Sequence, residues 1–187
     1  MLVRALQPFY RLADSSLVVV TVPAGDIERV REMLETHQDQ SADRILEGGG
    51  SRQESVFIAL AALEPEAPET VLIHDGARPW ISLELAERVL AGCRRYGACV
   101  PVMEVSEAPK QVDPSGFILA HLDRQSLRVA QTPQGFSFPR ILEAYRAAAA
   151  SGRCFIDDAE LYSAFIGPVM TVPGELRNCK VTYREDL

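Results

Sequence analysis

Apolar and polar positions along this chain follow two periods. A strand buried on both faces reads as an unbroken apolar run, whereas a helix lying on a core repeats its apolar positions every three or four residues. Leu2, Leu6, Phe9 and Tyr10 predict a first helix, Leu17 to Val22 (LVVVTV, closed by Pro23) a buried strand, and Ile27, Val30, Met33 and Leu34 a second helical stripe. Arg44 to Glu47 predicts a short strand, Ser51 to Leu63 a helix, Val71 to His74 a strand, Leu83 to about Tyr96 a helix, and Ala98 to Met103 a further strand. Strands alternating with helices imply right-handed crossovers and a mostly parallel central sheet covered on both sides, a three-layer α/β fold.

The alternation stops after Met103. Lys110 to Asp113 and Phe117 to His121 flank Pro114-Ser115-Gly116, a combination suited to a hairpin turn, so a β-arm is expected to project over about residues 104–131. Leu127 to Gln131 predicts a third extended stretch leading into Thr132-Pro133-Gln134. Helices are expected at Pro139 to Ala150 and Asp157 to Phe165, and strands at Val169 to Val172 and Lys180 to Thr182. No internal repeat, low-complexity tract or linker interrupts the chain, so a single domain over 1–187 is expected. The chain opens on a helix, although a doubly wound fold normally opens on the strand whose loop holds the ligand phosphates. A first βα unit is therefore expected to be missing, and Arg184-Glu185-Asp186-Leu187 reads as the start of a further helix.

Composition narrows the classes. With 187 residues, 47% hydrophobic and 24% charged, the chain can bury a core without disulfide or metal support. No apolar run approaches the ~20 residues of a spanning helix, and no signal-peptide core follows Met1, so a cytoplasmic protein is expected. The net charge of −7 offers no general attraction for nucleic acid or anionic lipid. Cys93, Cys99, Cys154 and Cys179 form no C-x-x-C pair, and with only His37, His74 and His121 to join them zinc-ligand spacing is missing; reduced thiols are expected.

Candidate chemistry lies in loops that follow apolar runs, because ligands of open α/β sheets bind beyond the carboxyl ends of the strands. Gly48-Gly49-Gly50-Ser51 precedes a helix, which suits either an anion at the helix N-terminus or a left-handed turn with Ser51 as the cap. In His74-Asp75-Gly76-Ala77-Arg78-Pro79, Asp75 could hold a divalent cation or a sugar hydroxyl and Arg78 a phosphate; the other reading is an Asp–Arg pair capping the next helix. Asp157-Asp158 fits a two-carboxylate metal site or, more simply, a helix cap. Arg124 and Lys180 by themselves read as solvated surface charges.

Taken in order, GGGSRQESV, VLIHDGARPWIS, LDRQSLRVAQTPQGF, IDDAEL and NCKVTYREDL resemble the successive motifs of the 2-C-methyl-D-erythritol 4-phosphate cytidylyltransferase family over nearly the whole chain. The resemblance implies a Rossmann-like nucleotidyltransferase that joins CTP to methylerythritol phosphate, with release of pyrophosphate, in non-mevalonate isoprenoid biosynthesis. It implies Mg2+ as cofactor and a homodimer formed through the β-arm. By position it assigns Gly49, Gly50 and Ser55 to the cytosine and Asp75 and Gly76 to the ribose and the metal-bound phosphates. Arg78 and Thr132 fall to the methylerythritol moiety, and Arg124, reaching from the arm into a second subunit, joins Lys180 in orienting the reacting phosphate.

The departures from the family pattern concern the triphosphate and the acceptor. The family's glycine-rich loop, with its Arg and Lys, has no counterpart, so very poor activity is expected of these 187 residues. Val105 lies in a segment that replaces the usual D-T-x-K run, and Ile156 stands where a Thr is usual. These positions leave open a sister enzyme acting on another alcohol phosphate such as ribitol 5-phosphate. The missing loop leaves open a non-catalytic scaffold that binds nucleotide or dimerises.

Overall fold

The computed structural model describes residues 1–12, 17–36 and 42–186; His37 and Leu187 lie outside them. The first apolar stripe forms α1 (Leu2–Leu6) and then, past Pro8, a separate 3-10 turn at Phe9–Arg11, because proline withholds the N–H that a continuous helix would need there. There follow β1 (Val19–Val22), α2 (Ile27–Glu35), β2 (Arg44–Glu47), α3 (Arg52–Ala62), β3 (Thr70–Ile73), α4 (Leu83–Tyr96) and β4 (Ala98–Glu104). Next come β5 (Lys110–Val112), β6 (Ile118–His121), β7 (Arg128–Ala130), β8 (Gln134–Ser137), α5 (Phe138–Ser151), α6 (Asp158–Phe165) and β9 (Met170–Pro173).

Three layers follow from the way neighbouring strand residues face opposite sides of a sheet. In β3, Leu72 packs with Ile81, Leu85 and Val89 of the α4 side. Val71 and Ile73 pack with Leu60, Ile141 and Leu161 of α3, α5 and α6. In β1, Val20 and Val22 face α1 and α2, while Val19 joins the α3–α5–α6 side.

The sheet is mixed, which corrects the mostly parallel expectation. β1 and β2 pair in parallel, as do β4 and β9, but β3–β8, β8–β4 and β4–β7 are antiparallel. Two strands reverse the sense, β7 and β8, and β8 is hidden from pattern reading because its four buried or half-buried residues QGFS include one large apolar side chain and run directly into α5. Lys180 to Thr182, expected as a strand, forms none; the segment is tied to the loop after β3 by the Val181 N–H donating to the Ala77 carbonyl at 2.8 Å. Arg184–Asp186 is a 3-10 turn, and Asp186 Oδ2 accepts from the N–H groups of Thr182 and Tyr183.

β5 and β6 pair only with each other among the described residues, as an antiparallel hairpin whose turn is closed by Asp113 Oδ1 accepting from the N–H groups of Ser115 and Phe117. A cavity of about 460 Å3 separates β1 from β3 and is lined by Val20, Thr21 and Leu72, by Leu6 on one face and by Val56 and Ala59 on the other. Among the described residues no helix is long and apolar enough to cross a membrane.

Candidate active site

Two separated segments deliver the charged residues that converge on the loop after β3. Arg52 is the first residue of α3, started by Ser51, whose hydroxyl accepts from the Glu54 N–H. None of Gly48 to Gly50 has a positive φ, so the left-handed turn considered above does not occur. Glycine is required there by close packing: a Cβ on Gly48 would stand 2.7 Å from Ser55 Oγ, and one on Gly49 would stand 2.4 Å from Glu54 Cβ. The loop's donors are already paired: the Gly48 N–H donates to the Val22 carbonyl (2.8 Å), the Gly49 N–H to Ser55 Oγ (3.1 Å) and the Gly50 N–H to Glu54 Oε2 (2.7 Å). The Ser55 hydroxyl in turn donates to the Ser51 carbonyl at 2.9 Å.

Asp75 is the centre of the cluster. Its Oδ1 accepts from Arg52 Nε at 3.0 Å, while Oδ2 lies 3.3 Å from Lys180 Nζ and 3.8 Å from Arg78 Nε. The helix-capping reading of the Asp75–Arg78 pair is not what is found: α4 is capped by Ser82, and Asp75 turns instead to α3 and to Lys180. Burial opposes the Asp75 charge, yet Arg52 and then Lys180 outweigh it and hold the carboxyl below its usual range. Burial lowers Arg78, whose guanidinium donates to the Asn178 carbonyl at 2.8 Å.

Thr132 organises the same loop from β8's side. Its peptide with Pro133 is cis. The Thr132 hydroxyl accepts from the Asp75 N–H (3.0 Å) and donates to His74 Nδ1 (3.0 Å), and His74 Nε2 donates to the Arg78 carbonyl (3.2 Å). Burial drives His74 down to about 4, so the ring is neutral and its tautomer follows from its partners. Asn178, fully buried, donates to the Thr132 carbonyl at 2.8 Å and so fixes the backbone two residues before Lys180.

The acidic pair Asp157-Asp158 is divided between two tasks, and neither is the two-carboxylate metal site considered above. Asp157 caps α6 by accepting from the Glu160 N–H at 2.8 Å. Asp158 is wholly buried and accepts both terminal nitrogens of Arg52, at 3.1 and 2.7 Å, together with the Tyr145 hydroxyl. Burial penalises the Arg52 charge, but Asp158 and Asp75 more than offset the penalty and raise it. Among the described residues no three His, Cys, Asp or Glu side chains group as a metal cage, and all four cysteines are free thiols.

The structure thus brings Ser55, Asp75, Gly76, Arg78, Thr132 and Lys180 to one region, with Ser55, Asp75 and Gly76 at the wall of the cavity beside β1. Gly49 and Gly50 are tied to the first turn of α3 in the same region. Arg124 stands apart in the segment between β6 and β7, exposed and bonded to the Ser106 carbonyl at 2.8 Å. Pattern reading missed Arg52 and Tyr145. The one available signal was an arginine at the first turn of a helix, where the helix dipole disfavours a cation unless a carboxylate meets it.

The family model for 2-C-methyl-D-erythritol 4-phosphate cytidylyltransferase (IspD) matches residues 1–187. The chain belongs to this family. It is 39% identical over 184 residues to a bifunctional IspD/IspF enzyme of Rhodopseudomonas palustris (strain BisB18), covering 98% of this chain and 46% of that protein. It thus spans about half the length of this and similar curated relatives. It is 35% identical to the 2-C-methyl-D-erythritol 4-phosphate cytidylyltransferase of Geobacillus kaustophilus, over all of this chain and 81% of that one. Among solved structures, the cytidylyltransferase of Thermus thermophilus superposes with a TM-score of 0.82 at 33% identity, covering 100% of this chain and 85% of that one. The synthase of Anaerococcus prevotii gives 0.89 at 28% identity, covering 99% and 81%. The IspD-type fold is therefore shared by proteins whose own names state the cytidylyl chemistry.

Proposed function

We propose that this IspD-family chain transfers the cytidylyl group of CTP to 2-C-methyl-D-erythritol 4-phosphate with release of pyrophosphate. One observation carries the reading: Arg52 and Lys180, from two separate segments, converge with Arg78 of the same loop on Asp75. With Asp158 counted, three cations against two carboxylates leave net positive charge where two anionic substrates must meet. In-line displacement at phosphorus needs positioning and charge neutralisation rather than a covalent enzyme intermediate.

Gly49, Gly50 and Ser55 would read the cytosine through donors and a hydroxyl now paired within the loop, and Asp75 and Gly76 would face the ribose and phosphates. Arg78 and Lys180 would hold the acceptor phosphate, and Thr132 would serve by orienting the Asp75 backbone. One carboxylate suits a Mg2+ that arrives on the triphosphate, because magnesium commonly takes one or two protein carboxylates and completes its shell with phosphate and water. Asp75 would hold it through Oδ2, and the ion would neutralise phosphate charge. Arg124 would act in a neighbouring subunit of a homodimer joined by the hairpin as an arm, a role suited to its exposed Phe117 and Leu119. The setting would be cytoplasmic.

The test is a single-turnover assay with the chain in excess over labelled CTP in magnesium buffer. CDP-methylerythritol should form, ribitol 5-phosphate should be used at least tenfold more slowly, and Lys180→Ala should slow the reaction at least 100-fold. CTP binding without product from either acceptor, by this chain and by a version extended upstream alike, would overturn the assignment in favour of a scaffold.

A further inference from the structure

Arg52 has two carboxylate neighbours but spends its guanidinium on them unequally. Both terminal nitrogens go to the two oxygens of Asp158, and the remaining Nε–H goes to Oδ1 of Asp75. A planar fork bound along one edge to a buried partner has no freedom to rotate, so the direction of its Nε–H is set by Asp158. Asp158 is itself held. The Tyr145 hydroxyl donates to Oδ1, and the start of α6 is pinned to β8 by Gln134, whose Nε2 donates to Asp157 Oδ2 (3.0 Å) and whose Oε1 accepts from the Ala159 N–H (2.9 Å). The side chains of Gln134 and Asp158 are fully buried.

We propose that Asp158 and Tyr145 are positioning residues for Asp75: they lock the Arg52 guanidinium so that its Nε–H holds Oδ1 and leaves Oδ2 to Lys180 and to a magnesium ion that would arrive on the triphosphate. The proposal rests on reading Asp75 as a ligand-facing carboxylate. A helix anchor alone would need only the Arg52–Asp158 pair; the third contact, from Nε to Asp75, is what carries that rigidity into the site. Lysine in place of Arg52 would have one ammonium to divide between two carboxylates and would release one of them.

The full chain is tested as Tyr145→Phe, Asp158→Asn and Arg52→Lys, each also combined with Asp75→Ala. Hydrogen exchange of the Arg52 Nε–H, assigned by its disappearance from the NMR spectrum of Arg52→Lys, should be at least tenfold faster in Tyr145→Phe and Asp158→Asn. CTP affinity in magnesium buffer should fall three- to tenfold in each of the three variants. In the Asp75→Ala background the same substitutions should change CTP affinity by less than twofold, since a residue acting through Asp75 has nothing left to act on. Tyr145→Phe removes only a hydroxyl, so the test stands even if the chain with Asp158→Asn does not fold. Unchanged exchange of the Nε–H, or affinity losses that multiply with that of Asp75→Ala, would overturn the proposal. Faster exchange together with wild-type CTP affinity in Asp75→Ala would uphold the clamp and overturn instead the assignment of Asp75 to the ligand.

Discussion

Adjacent residues of one chemical type take opposite roles here. Asp157 and Asp158 are both acidic, yet one accepts a backbone N–H at a helix start and the other is sealed in the core against a guanidinium. Thr132, which the family resemblance assigns to the substrate, joins two residues of the loop after β3, its hydroxyl accepting from the Asp75 N–H and donating to His74. His74 carries a pH prediction. Its pKa in the folded chain is lowered, first by burial, to about 4, against an ordinary 6.5, so the unfolded chain takes up a proton first as the pH falls. Stability held above about pH 6.5 should therefore decline as the pH falls toward 4, by about 3 kcal/mol for this residue. Urea unfolding at pH 7 and pH 4.5 checks it: His74→Gln should be less stable at pH 7 but should lose less on acidification.

Elements were legible where they are long and periodic. The helices α3, α4 and α5 agree with their expected spans to within one or two residues, because ten or more positions report the same period. β8 was not legible, and its neighbour explains why it fits nonetheless. A Cβ on Gly135 would stand 3.0 Å from both Leu72 and Val89, so the absence of a side chain there lets β8 lie close against β3 and α4. The same helix meets β4 at Gly92, where a Cβ would lie 2.3 Å from Cys99 Sγ. Gly92→Ala would gain about 1 kcal/mol of helix propensity but force a clash that costs about 1–3 kcal/mol. A net destabilisation of about 1 kcal/mol is expected in denaturant titrations, and adding Cys99→Ala should recover most of it.

At the scale of the whole molecule a cavity lies between β1 of the two-stranded sheet and β3 of the five-stranded sheet, and Ser55 and Asp75 are among the residues that line it. The hairpin of β5 and β6 carries exposed Val112, Phe117, Ile118 and Leu119, an apolar surface of the kind that marks an association site. If it joins two copies as proposed, sedimentation should show a dimer at micromolar concentration, and Phe117→Lys with Leu119→Glu should shift it to monomer. A dimer that survives both changes would remove the hairpin from the interface. The sequence by itself determined the α/β class, most element positions and the family, because periodicity and ordered motifs are local properties of a chain. Only the tertiary structure decided the mixed sense of the sheet, the separate fates of Asp157 and Asp158, and the convergence of Arg52, Arg78 and Lys180 on Asp75. Those depend on contacts between residues up to about a hundred positions apart, as Arg52 and Asp158 are, and on burial, which no window of neighbouring residues records.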